Sequence, residues 1–162
     1  MSTGPRLGPL RVACGADAAG FELKAAIIGH LQGLGQDVRD YGTYDRDVVD
    51  YPDYAAKVCA AVVDGQVDLG ILVCGTGIGM SIAANKFNGV RAALCHDTFG
   101  ARMSRNHNNA NVLALGAWDV TVERAPEIVE VWLASGYDGG RHEPRLEKIA
   151  NLEARMSKPS LR

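Results

Sequence analysis

Along most of this chain, short apolar runs alternate with segments whose apolar residues recur every three or four positions. Leu10–Cys14 predicts a strand, and Leu23, Ile27, Leu31 and Leu34 follow it at helical spacing. A second strand is predicted at Asp37–Tyr41. The next helix carries Tyr54, Val58, Ala61 and Val62 on one face, with Asp53 as its N-cap and Gly65 as its stop. Leu69–Val73, Val90–Cys95 and Asn111–Leu115 supply three further strands. A helix around Thr98–Asn106 separates the last two, and Thr121–Ser135 closes the series as a helix with Val122, Ala125, Val129 and Trp132 on one side. Five strands alternating with helices predict an α/β fold, a Rossmann-like three-layer α/β/α arrangement around a five-stranded parallel sheet. Ligands of such sheets bind beyond the carboxyl ends of the strands.

The alternation spans residues 10–156, which are expected to form one domain. Residues 1–9 and 157–162 lack periodicity and read as terminal tails, and no internal repeat or low-complexity segment interrupts the unit. The 162 residues are 47% hydrophobic and 22% charged, ordinary values for a globular domain with a substantial core. A net charge of −2 offers no general attraction to nucleic acid or to an anionic membrane, so any phosphate recognition must be local. The apolar runs are too short to span a bilayer and no signal-like leader is present, so a cytoplasmic location is expected. Cys14, Cys59, Cys74 and Cys95 are widely spaced, without a C-x-x-C pair, and are expected to be free thiols.

Three of these cysteines sit within apolar segments and read as small buried hydrophobes; Cys74 ends its strand where a glycine-rich turn begins. The run Gly70-Ile-Leu-Val-Cys-Gly-Thr-Gly-Ile-Gly-Met-Ser-Ile-Ala-Ala-Asn-Lys86 reads as strand, turn and helix. Gly75, Gly77 and Gly79 would present backbone N–H groups to a ligand. The helix N-terminus would favour both a thiolate and an anionic oxygen there. A thiol whose pKa is ordinarily about 8.5, lowered by that terminus and by Thr76, would serve as a base or nucleophile near neutral pH. The spacing G-x-G-x-G departs from known phosphate loops: Met80 stands where a dinucleotide fingerprint has its third glycine, and no Walker lysine follows Gly79. Asp97 lies about 20 residues further on, which keeps a nucleotide-binding module open as an alternative.

His107 lies in the polar cluster Arg105-Asn-His-Asn-Asn-Ala-Asn111, where it reads either as a capped helix end or as a proton shuttle. Gly139-Gly-Arg-His-Glu-Pro-Arg145 places Arg141, His142 and Arg145 around a helix start, a group suited to a phosphate and equally able to be a solvated turn. His30 reads as a surface residue. His96 beside Asp97 suggests a set with Cys95, although that cysteine completes an apolar strand. No histidine, cysteine and carboxylate set has recognisable metal spacing, and no cofactor is expected.

With these residues in view, the chain resembles the ribose-5-phosphate isomerase type B and galactose-6-phosphate isomerase family of sugar-phosphate isomerases. The resemblance is carried by Gly-Phe-Glu-Leu-Lys (20–24), Asp-Tyr-Pro (50–52), Cys-Gly-Thr-Gly-Ile-Gly with Ala-Ala-Asn-Lys (74–86), Asn-His-Asn-Asn (106–109) and Gly-Gly-Arg-His (139–142), in order over nearly the whole folded unit. It implies metal-free interconversion of an aldose phosphate and a ketose phosphate through an enediolate. Cys74 would be the base that moves a proton between C1 and C2, with Thr76 beside it, and His107 would help open the sugar ring. The Gly75, Gly77 and Gly79 amides would steady the enediolate oxygen. Asp17, Tyr51 and Asn108 would contact sugar hydroxyls. Arg141, His142 and Arg145 would hold phosphate across a subunit boundary, so the resemblance implies a homodimer or a dimer of dimers with shared active sites.

Two positions depart from that family's pattern. Ala18 follows Asp17 where the family usually has a histidine, and Trp118 stands where it usually has an arginine, both near the substrate phosphate. Losing two charge-assisted contacts costs on the order of 1.5–3 kcal/mol each unless something compensates. The sequence therefore supports ribose 5-phosphate as substrate and leaves open a tetrose phosphate, a hexose phosphate or an unphosphorylated sugar, with Ala18 and Trp118 as specificity candidates.

Overall fold

The structure, a computed structural model, describes residues 8–157. Its strands β1 (Arg11–Ala16), β2 (Asp37–Asp40), β3 (Leu69–Cys74), β4 (Ala92–Leu94) and β5 (Val112–Gly116) form one sheet in the order β2-β1-β3-β5-β4, every pair parallel. Helices α1 (Phe21–Gly33), α2 (Tyr51–Val63), α3 (Ile78–Ala84) and α4 (Thr98–Asn106) connect them, and α5 (Ala125–Ala134) and α6 (Glu143–Met156) follow β5. The expected three-layer architecture is present.

Alternation along the strands builds two cores, since successive side chains point to opposite faces. On one face Val12, Cys14, Ile71, Val73 and Leu113 meet Leu23, Ile27 and Leu31 of α1 and Ile128 and Trp132 of α5. On the other, Ala13, Leu72, Val112 and Ala114 meet Val58 and Cys59 of α2 and Met80 and Ala84 of α3. Every residue of β3 is buried, as expected of a central strand covered on both sides. The chain reverses its winding between β1 and β3, so Asp17 and Cys74 emerge side by side at the point where such sheets open a ligand crevice.

Several boundaries differ from expectation, and proline explains two of them. Helix α2 begins at Tyr51 with Asp50, not Asp53, in the N-cap position, because Pro52 lacks an N–H and is tolerated only in a first turn. Asp53 lies in that turn, where its charge suits the helix dipole. Helix α5 starts at Ala125 instead of Thr121 for the same reason. A helix begun at Thr121 would need Pro126 to donate to residue 122. Val122 therefore leaves the buried face and is 44% exposed. Leu34 caps α1 at the surface. Strand β4 is confined to three residues at the sheet edge, paired to β5 alone. The expected tails lie outside the described residues except for Gly8, Pro9 and Ser157.

Lys24 is only 1% exposed. Its Nζ donates to Asp40 Oδ1 and, at 2.8 Å, to the Thr43 carbonyl, and Asp40 Oδ1 also accepts from the Gly42 N–H at 2.9 Å. The loop that leads from β2 to Tyr51 is thus anchored to α1 by a buried ammonium.

Candidate active site

The turn after β3 is built by steric exclusion. Gly77 adopts φ +75°, and a Cβ there would lie 2.8 Å from the Leu115 carbonyl carbon and 3.0 Å from the Gly116 nitrogen. Only glycine fits that geometry against the backbone of a central strand. Its N–H turns inward and donates to Cys74 Sγ at 3.2 Å, so the expectation that all three glycine amides face a ligand fails at Gly77. Thr76 Oγ1 accepts from the Ile78 N–H at 3.3 Å and steers the chain into α3.

A cavity of about 400 Å³ opens above this turn. Its walls include Asp17, Tyr51, Cys74, Gly75, Thr76 and Gly79. Trp118, Ile78 and Ile82 complete them. Cys74 is 4% exposed and lines this opening. Asp17 Oδ1 accepts from the Gly20 N–H at 3.0 Å, which fixes the carboxylate at the end of β1. The Tyr51 ring packs on Gly79, where any Cβ would overlap it.

Trp118 occupies a defined seat. Its backbone N–H donates to the Gly75 carbonyl at 2.9 Å, and its indole covers Gly75 so closely that a Cβ there would meet three ring carbons at 2.8–2.9 Å. The indole remains 78% exposed, a wall of the cavity with one face open. The next residue, Asp119, pairs through Oδ2 with His96 Nδ1 at 2.6 Å. Ala18 lies in the turn after β1, beside Asp17 but not on the cavity wall.

The other expected site residues gather elsewhere. His107 caps α4 and stacks on His142, with ring centroids 4.3 Å apart and planes 16° from parallel. Arg141 and Arg145 are exposed at the start of α6. Asn108 is exposed and lines a second groove of about 620 Å³ between β4 and α6. Among the described residues, none of these five walls the Cys74 cavity.

Cys14, Cys59 and Cys95 are buried as expected, and burial pushes their thiols up to about 12, 12 and 11 respectively. His30 pairs with Glu130 at 2.7 Å on the surface. Asp97 accepts from the Gly100 N–H at 2.7 Å and so caps α4, a structural duty that accounts for its position without a nucleotide. One metal-capable group was hidden by sequence distance: His107, Asp138 and His142 place ligand atoms within 4.8 Å of one another. The in-plane nitrogens of two stacked rings do not converge on one point, so a cation there would require the rings to fan apart.

The sequence profile described as Ribose/Galactose Isomerase matches residues 12–149. Ribose-5-phosphate isomerase B of Escherichia coli is 50% identical over 147 residues, 91% of this chain and 99% of that protein. D-erythrulose-4-phosphate isomerase of Pectobacterium atrosepticum is 48% identical over 146 residues, 89% and 95% of the two chains. The solved structure of Clostridium thermocellum ribose-5-phosphate isomerase B superposes with a TM-score of 0.90 at 47% identity, covering 91% of this chain and all of that one.

Proposed function

The chain belongs to the ribose/galactose isomerase family of aldose–ketose isomerases, and from that premise we propose that it interconverts ribose 5-phosphate and ribulose 5-phosphate through an enediolate, without a metal. The observation that carries this reading is the Cys74 thiol, opening onto a cavity it shares with Asp17, Tyr51 and Thr76 at the β1/β3 switch point. The Cys74 thiolate takes the proton from C2 of the open-chain aldose, the C2–H electron pair forms the C1–C2 double bond and the C1 carbonyl pair moves onto O1. The O2 proton is then transferred to O1, the C2 carbonyl forms as the double bond takes up a proton at C1, and that proton comes from the Cys74 thiol after exchange with solvent. Backbone amides at Gly75 and Gly79 steady the negative oxygen. Asp17 and Tyr51 hold sugar hydroxyls. Opening the furanose breaks the C1–O4 bond, removes the O1 proton and protonates O4, the transfer assigned to His107.

His107, Asn108, Arg141, His142 and Arg145 enter this scheme from a second copy of the chain. Support comes from α6, which buries no residue of its own and carries Leu146, Ile149, Leu152 and Met156 along the 620 Å³ groove. An apolar stripe of that kind is unusual on an isolated domain. We assign a homodimer, or a dimer of such dimers, that unites the two clusters, and a cytoplasmic location. No helix among the described residues is long and apolar enough to cross a membrane.

A second reading is favoured by Trp118. Its indole fills the space above Gly75 and supplies no cation, which suits a shorter sugar phosphate; one close relative carries the name of a tetrose-phosphate isomerase. Turnover of ribose 5-phosphate, a tetrose phosphate, a hexose phosphate and free ribose, with Cys74→Ala beside the wild type, tests both. Preference for ribose 5-phosphate, abolished in the variant, is expected. Preference for the tetrose phosphate selects the second reading, and absence of turnover on every sugar defeats both.

A further inference from the structure

His142 differs from the two arginines beside it. Arg141 and Arg145 are exposed, whereas His142 is only 7% exposed and packs its ring against the face of His107. The segments that carry the two rings are clasped together. Asn106 Nδ2 donates to Asp138 Oδ1 at 2.9 Å, and the Asp138 N–H donates to the Asn106 carbonyl at 2.9 Å. Gly139 and Gly140, at φ +64° and +56°, then turn the chain so that His142 returns beneath His107. Burial first, then the charges of His107, Arg141 and Arg145, hold the His142 imidazole below its usual range, with Asp138 opposing them. A buried, neutral ring engaged by its face is a poor ligand for phosphate, which takes exposed, charged forks.

We propose that His142 is a positioning residue for His107, holding that imidazole in its working orientation through the ring stack, and not a ligand of the substrate phosphate. The inference rests on the reading of His107 as the group that opens the sugar ring. A stacked pair of rings orients its partner by shape, and a catalytic imidazole displaced by about 1 Å loses on the order of 100-fold in rate.

The chemistry of the substrate separates this role from others. Ribose 5-phosphate closes its ring through O4, whereas 4-deoxyribose 5-phosphate lacks that oxygen and erythrose 4-phosphate has it blocked by phosphate, so both remain open. A defect confined to ring opening slows the first and spares the other two. Three variants are compared with the wild-type dimer: His142→Phe, which keeps a flat ring, His142→Ala, which removes it, and His107→Ala. The expected result is that His142→Ala lowers kcat on ribose 5-phosphate about 10-fold or more at nearly unchanged KM, that His142→Phe retains kcat within about 3-fold, and that turnover of whichever acyclic sugar the wild type accepts falls much less. A 10-fold rise in KM shared by Phe and Ala variants would make His142 a phosphate ligand and overturn the proposal. Equal loss on cyclic and acyclic sugars, with a lowered melting temperature, would reduce it to a structural residue and overturn it as well. If His107→Ala slows ribose 5-phosphate and His142→Ala does not, the stack alone has failed. If His107→Ala leaves ribose 5-phosphate turnover intact, the premise has failed with it.

Discussion

Replacing Gly77 and Gly75 by alanine, one at a time, exploits two glycines that sit two residues apart and meet opposite surroundings. At Gly77 the added Cβ enters a left-handed conformation, which costs a non-glycine residue about 1–2 kcal/mol. It also lands 2.8 Å from the Leu115 carbonyl carbon and 3.0 Å from the Gly116 nitrogen, backbone atoms of a fully buried strand that cannot retreat. Overpacking of that kind adds about 1–3 kcal/mol. The two effects together amount to about 2–5 kcal/mol, and for a chain of this length each kcal/mol lowers the melting temperature by about 2–4 °C. Gly77→Ala is therefore expected to melt on the order of 4–20 °C below wild type. At Gly75 the backbone is not left-handed and the three atoms nearest the Cβ all belong to the indole of Trp118, at 2.8–2.9 Å. That side chain is 78% exposed and free to swing. Gly75 is itself buried beneath that indole, but the group its Cβ displaces belongs to an exposed side chain that can yield, so Gly75→Ala should melt closer to wild type than Gly77→Ala while altering KM through the displaced indole. In a Trp118→Ala background the Gly75→Ala effect on KM should vanish. Calorimetric melting of the five proteins (wild type, the three single variants and the Gly75→Ala/Trp118→Ala double variant), with KM measured on the same preparations, checks the reasoning. Gly77→Ala melting within 2 °C of wild type, or Gly75→Ala falling as far as Gly77→Ala, would refute it.

Three further outcomes are expected. With Cys14, Cys59 and Cys95 buried and their thiols pushed up to about 12, 12 and 11, alkylation by iodoacetamide at pH 8 should modify Cys74 first, with activity lost in step; mass spectrometry finding the first adduct on another cysteine contradicts this. Because His142 is held below the unfolded imidazole value of about 6.5, the unfolded chain binds its proton first as pH falls. The stability His142 contributes is thus present above that value and is lost as pH falls from it through the lower folded value, so the wild type should lose more melting temperature than His142→Phe between pH 8 and 5.5; parallel curves would count against the burial argument. Trp118→Arg restores a cation at the wall above Gly75 and should lower KM for phosphorylated pentose about 10-fold or more while leaving free ribose unchanged, and an equal change on both sugars would show that no phosphate lies there.

The sheet was legible because β1, β3 and β5 are apolar enough to be buried on both faces, while the largely exposed β2 was placed by its position in the strand–helix alternation. The place of Cys74 at a strand's carboxyl end followed from the glycine-rich turn after it, whereas the strand order that makes this a switch point was visible only in the structure. The helix starts at Tyr51 and Ala125 were misread because apolar periodicity outweighed Pro52 and Pro126, whose missing N–H groups set the boundary. The His107–His142 stack was beyond local reasoning, since 35 positions separate the residues and long-range contacts such as the Asn106–Asp138 clasp bring them together. The same motif list that placed Cys74 and His107 in one site carried no information on which residues a single chain can unite. The groups divide between two clusters, and the apolar stripe on α6 is the observation on which the proposed second copy rests. Asp138 stood just before a motif already singled out, and its proximity to two histidines was the signal passed over.

The central claim is that Cys74 moves a proton between two carbons of a sugar phosphate. Turnover of ribose 5-phosphate in D₂O, followed by NMR through many cycles, tests it most directly. The account predicts that deuterium accumulates at C1 of the ketose with wild type and that Cys74→Ala, folded to the same melting temperature within a few degrees, loses at least about 1,000-fold in rate, the scale on which a positioned base acts. Turnover with complete retention of the substrate hydrogen, or undiminished turnover by Cys74→Ala, would contradict it.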